Sequence, residues 1–114
     1  MIELSSGPLN ALFVGSSTNI SVAGDFGFIS NFDGSTWSQI EIESFDDFVG
    51  IDGTGANDVF VLGERGDAFQ YDGVRWTPLR LPLPSPDQNT VRGICVLPDA
   101  IAIAGDRQNV VLTR

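Results

Sequence analysis

The sequence contains no histidine and no lysine, and its six basic residues are all arginine. Without an imidazole there is no side chain poised to exchange protons near neutral pH, and without lysine there is no Schiff-base chemistry. A glycine-rich phosphate loop opening a helix is missing as well. The single cysteine, Cys95, excludes an intrachain disulfide and a thiolate metal cluster. Its neighbours Gly93, Ile94, Val96 and Leu97 read as a buried strand, so Cys95 is expected to pack as a small core residue. No apolar run is long enough to cross a bilayer. Met1-Ile2-Glu3-Leu4 has neither the basic nor the apolar region of a secretion signal, so no compartment is assigned from it. The chain is therefore expected not to be an enzyme and to need no cofactor.

Positive charge is also scarce. Fifteen acidic residues against six basic ones give a net charge of −9. Such a surface repels phosphate backbones and anionic lipid, so neither nucleic acid nor membrane is expected as a partner. Glu41, Glu43, Asp46 and Asp47 form the densest acidic cluster and read as a solvated loop. They do not match the Asp-x-Asp-x-Asp-Gly spacing of a calcium loop, and no metal site is expected.

What the chain does have is a repeat. Gly24-Asp25-Phe26-Gly27, then Phe32-Asp33-Gly34-Ser35-Thr36-Trp37, returns as Gly63-Glu64-Arg65-Gly66, then Tyr71-Asp72-Gly73-Val74-Arg75-Trp76. Trp37 and Trp76 are 39 residues apart, and Ala104-Gly105-Asp106-Arg107 begins a third copy. A period near 40 residues built of short strands is the signature of propeller blades. In the second copy, strands are expected at 48–51, 59–62, 67–71 and 76–81. Val59-Phe60-Val61-Leu62 is apolar throughout, as a strand buried on both faces should be. Gly53, Gly55, Asn57 and Asp58 read as turn residues, Asp72-Gly73 as a hairpin, and Pro78 as suited to an edge strand. The first copy places strands at 11–14, 20–23, 28–32 and 37–42, and the third at 91–97, 100–104 and 109–113.

The third copy stops before its outer strand. Residues 1–6 resemble 39–44, the end of the first copy's outer strand, and are expected to complete the last blade. The predicted fold is all-β: a β-propeller unit of three four-stranded antiparallel blades, spanning 9–44, 46–84 and 89–114. The Pro-rich stretch from Pro82 to Gln88 reads as a stiff link between the last two blades. Three blades cannot close a ring, and propellers have about four to eight. Two chains of three blades give six, so a homodimer closing as a six-bladed ring is expected, with strand exchange at the seam; the alternative is a fragment of a longer, single-chain propeller.

Ser16-Ser17-Thr18-Asn19-Ile20-Ser21-Val22-Ala23-Gly24-Asp25-Phe26-Gly27, followed by Phe32-Asp33-Gly34-Ser35-Thr36-Trp37, resembles a bacterial β-propeller repeat. Asn57-Asp58-Val59-Phe60-Val61-Leu62-Gly63 fits the same pattern. The resemblance implies propeller blades in a bacterial, often exported protein and leaves function open. The Asp-Gly-x-x-Trp hairpin is also similar to that of small bacterial fucose-binding lectins. Those hold sugar between blades with an arginine, a glutamate and a tryptophan. Here the positions near Ser21 and Phe60 offer no arginine, and those near Ile29 and Ala68 no glutamate, so fucose binding is not implied.

Trp37 and Trp76 are the first binding candidates, because an indole face stacks on sugars and its N–H tolerates a wet edge. The competing reading is that each caps the packing between blades. Asp25, Glu64 and Asp106 follow the turn glycine of all three copies and are expected on one rim, within reach of a partner. Asp33 and Asp72 read as turn formers, and Tyr71, aligned with Phe32, as core. The function expected is a non-catalytic binding or scaffold module using the rim, channel or inter-blade grooves for a protein or glycan ligand. The alternative is a lectin built on the repeat tryptophans.

Overall fold

A computed structural model describes residues 9–79, 91–105 and 109–114. The first blade runs β1 (Leu9–Ser16), β2 (Asn19–Gly24), β3 (Ile29–Phe32) and β4 (Trp37–Ile40). The second runs β5 (Phe48–Gly55), β6 (Asp58–Gly63), β7 (Ala68–Tyr71) and β8 (Trp76–Leu79). The third holds β9 (Val91–Val96), β10 (Ala100–Gly105) and β11 (Asn109–Thr113). Each sheet is an antiparallel meander in chain order, with four, four and three strands among the described residues. The expected outer strand at residues 1–6, the Pro-rich link and Asp106 lie outside the described residues.

The strands fall where alternation and β-branched runs put them. In β6, Val59, Val61 and Leu62 are fully buried and Phe60 nearly so, as a strand covered on both faces requires. Each such side chain contributes about 1.5–3 kcal/mol by leaving water. Pro78 sits in β8, the outermost strand, where a missing N–H costs no ladder bond on the open side.

One local reading differs from expectation. Gly53 and Gly55 belong to β5, not to a turn, and the reversal falls on Ala56 and Asn57. The ladder is irregular between them, and a Cβ on Gly53 would run into the Asp58 carbonyl. Glycine there serves close strand approach rather than chain reversal. Asp72-Gly73 opens the β7–β8 hairpin turn, as expected. Tyr71 pairs with Trp76 and Phe32 with Trp37, which leaves a four-residue loop in each blade.

Successive blades stack in one sense. Call the side carrying Ile51, Val61, Phe69 and Trp76 the front face of the second blade. It rests on the back face of the first blade, formed by Ala23, Ile29 and Ile40. The third blade repeats the arrangement: Ile94, Val96, Ile101 and Ile103 rest on Phe60, Leu62, Ala68 and Leu79 of the second. The rings of Phe48 and Phe69 meet edge to face within the first junction, 6.1 Å apart.

Among the described residues the outer flanks have no such cover. On the front of the first blade, Leu12 and Val14 are 60% and 57% exposed. On the back of the third, Ala102, Ala104 and Val111 face outward, and so does Cys95. Cys95 is thus a correction. It pairs with Ala102 in the ladder, on the face opposite Ile94 and Ile103, and among the described residues that face meets no blade. Its strand is apolar on both sides, which hid the difference in the sequence.

Candidate functional site

Trp76 is held by three contacts. It pairs across the ladder with Tyr71, whose ring stacks on the indole at 5.2 Å and 30°. Tyr71 Oη in turn donates to the Gly73 carbonyl at 3.0 Å. The indole Nε1–H donates to Asn31 Oδ1 of the first blade at 3.2 Å. Trp37 repeats the ladder pairing, with Phe32 at 5.1 Å. Among the described residues its indole has no acceptor like Asn31. Of the two tryptophans, Trp76 caps a blade junction, while the contacts of Trp37 lie within its own blade.

Around Trp76 the first junction opens outward. A groove of about 680 Å³ runs between the residues following β4 and the outer strands of the second blade. Its floor is Ile42, Phe69, Trp76 and Pro78; its acidic lining is Glu41, Glu43 and Asp67. A second hollow of about 430 Å³ lies on the Asn31 and Tyr71 side of Trp76 and also reaches Glu41. Glu41 and Glu43 are exposed and make no ion pair among the described residues. Neither was singled out from the sequence as a groove residue, because the groove exists only once two blades are stacked.

The rim candidates do different work. Asp25 Oδ1 accepts from Asn10 Nδ2 at 2.8 Å, and the same amide donates to the Phe48 carbonyl at 2.9 Å. Asp25 therefore anchors the first blade to the second. Glu64 donates its N–H to the Asp47 carbonyl at 2.8 Å and accepts the Val91 N–H at 3.0 Å, a backbone link to the third blade. By the antiparallel order both turns emerge on one rim, but they do not join Trp76 in one cavity.

The acidic cluster needs correcting. Asp46 is not solvated; it is 7% exposed. Its carboxylate accepts the N–H groups of Arg65 at 3.0 Å and Asp67 at 3.2 Å. Ser44 completes the latch, with Oγ donating to Asp67 Oδ2 at 2.8 Å. A short linker before a β strand gives no periodicity from which to read such burial.

Asp33 and Asp72 are turn formers as expected. Asp33 Oδ1 accepts the N–H groups of Ser35 at 2.9 Å and Thr36 at 2.8 Å. Asp72 does the same for Val74 at 2.8 Å and Arg75 at 2.9 Å. Gly34 and Gly73 take φ of +102° and +101°. The N–H groups of Thr36 and Arg75, ahead of their neighbours, hold the two carboxyls below the usual aspartate range. On the same rim Arg114 grips Asp58 in bidentate fashion, at 2.6 and 2.8 Å, and lies 5.1 Å over the Phe60 ring. That pair, joining the third blade to the second, lowers the Asp58 carboxyl and raises the guanidinium.

No family model matches the sequence, and no curated protein matches it either. Among solved structures, a chain described as YCF48 bound to a D1 peptide is similar at a TM-score of 0.77 and 16% identity. The match covers 94% of this chain and 38% of that one, so this chain spans under two fifths of its neighbour. At that identity the likeness speaks to the fold alone: this chain is an all-β arc of propeller blades.

Proposed function

We propose that the chain is a non-catalytic binding or scaffold module that holds a protein segment in the groove beside Trp76. One observation carries this reading: a groove with an apolar floor and free carboxylates on its edge, formed only by two stacked blades. Concave sites of this size with a few polar groups are where ligands bind. The neighbour is described as bound to a D1 peptide, which supports a peptide over a small metabolite. A sugar is the second reading, since Trp76 presents an aromatic surface; Tyr71 already covers part of it. Peptide and glycan arrays probed with the purified protein separate the two. Binding to glycans alone removes the peptide reading, and Trp76→Ala or Glu41→Gln must weaken whichever class binds.

The same module is completed by a second copy. The open front of the first blade and the open back of the third are the two halves of the junction seen twice within the chain. Two arcs of three blades supply both halves to each other and reach six blades, inside the usual range. Light scattering behind size exclusion tests this: a mass of about twice 12.2 kDa is expected, and a monomer overturns it.

A further inference from the structure

The rim above the first junction carries two phenylalanines that the core does not use. Phe26 is 76% exposed and Phe45 is 88% exposed. They sit on different loops, the β2–β3 turn and the link from β4 to β5, yet both line one hollow of about 410 Å³. Large apolar side chains this open are ordinarily scattered singly; a pair sharing a hollow marks an interaction surface.

The backbone presents Phe26 at a cost. Its φ is +58° and ψ +37°, a left-handed conformation that is unfavourable for a bulky L residue. Surrounding groups hold it there. Asp47 Oδ1 accepts the Phe26 N–H at 3.0 Å, and the Gly27 N–H donates to the Asp46 carbonyl at 2.8 Å. Gly27 follows at φ +74°, packed so closely under Ser44 that a Cβ would strike the Ser44 carbonyl. Glycine or asparagine at position 26 would relieve the strain. The chain instead keeps an aromatic ring there and points it at solvent, and strain retained in this way is a mark of function.

Ring closure does not cover this surface. Added blades would meet the outer flanks at Leu12 and Val111, whereas Phe26 and Phe45 stand over a junction already made within the chain. The charge around them has one sign. Asp25 and Glu41 line the hollow, and no arginine does. Asp25 is engaged by Asn10, while Glu41 is free of partners among the described residues.

We propose that Phe26 and Phe45 form a preorganised docking point for a partner-protein segment that carries a large apolar side chain beside arginine or lysine. The two rings clasp the apolar side chain and Glu41 receives the cation. The surface is separate from the Trp76 groove, although Glu41 borders both.

The test uses three sets of synthetic peptides on one scaffold. One set pairs Leu or Trp with Arg, one replaces Arg by Glu, and one keeps Arg but replaces the apolar residue by Ser. Each is titrated into ¹⁵N-labelled protein while the amides of Phe26, Phe45 and Gln39 and the indole N–H of Trp76 are followed. The basic apolar set alone is expected to bind and to shift the Phe26, Gln39 and Phe45 signals. Phe45→Ala and Phe26→Gly should each weaken it at least about tenfold, the size of a hot-spot loss. Phe26→Gly relieves strain, so its melting temperature should not fall, and lost binding then reports the ring. Unchanged binding in both variants overturns the proposal, as does equal binding of the acidic set or no binding by any set. Shifts confined to the Trp76 indole overturn it while leaving the groove reading intact. A dimer that Phe45→Ala converts to monomer would make the occupant a second copy and also overturn it.

Discussion

Trp76 reaches across the first blade junction to donate its indole N–H to Asn31 Oδ1 at 3.2 Å. The bond lets one residue report on whether two blades are docked. Trp76→Phe should cost about 1 kcal/mol for the bond, and Trp76→Ala about 3 kcal/mol, at the low end for a half-buried indole. Trp37→Ala should cost less in the monomer, since no acceptor faces it among the described residues. Urea unfolding of the three variants tests the order, and equal losses at Trp37 and Trp76 would refute it.

Asp46 holds the linker against the second blade through the Arg65 and Asp67 amides. Asp46→Ala removes the charged acceptor of two part-buried bonds and should destabilise by about 1.5–3 kcal/mol. Hydrogen exchange at Arg65 and Asp67 should quicken before the strands do. An exchange map unchanged at these two amides would show the latch to be incidental.

Asp58 titrates below its ordinary range because Arg114 grips it. A carboxyl whose folded value is lowered stabilises fully above the unfolded value, about pH 4, and loses that contribution as pH falls through the folded value. Acid unfolding followed between about pH 2 and 5 should therefore begin at higher pH in Arg114→Gln than in the unaltered chain. Coincident acid limbs would remove the pair from the stability of the fold.

Cys95 is the single thiol and lies on the open back of the third blade. A maleimide should label it fast in a dilute monomer and slowly once a blade covers that flank. Val111→Arg, which puts a charge on the same face, should keep the labelling fast and the mass near 12.2 kDa. Equal labelling rates at dilute and high concentration would argue against closure through this flank.

The repeat made the three sheets and their strand order legible. Val59-Phe60-Val61-Leu62 and the Asp-Gly turns carried that information, because burial on two faces and positive φ leave marks in composition. Contacts between blades left no such marks. Asn10, Asn31 and Arg114 reach partners 38 to 56 residues away along the chain. Their partners are set by how one sheet lies on the next, which no single repeat encodes. Cys95 failed for a related reason: an apolar strand reads the same whether one face or both are covered. Phe26 was visible only as part of a turn, since a left-handed phenylalanine has no signature in the residues around it.

Because each described blade lays its front on the back of the one before, the arc has a direction, and the proposed joining of copies through its flanks would run head to tail. Such joining has two endings. A rotation per blade that returns to its start gives a finished ring, and one that misses gives an open filament that grows from both tips. The wedge angle is set at buried positions such as Ala23 and Leu62, both fully enclosed. A substitution there that opens the wedge would send the proposed ring toward a fibre without altering a single surface residue.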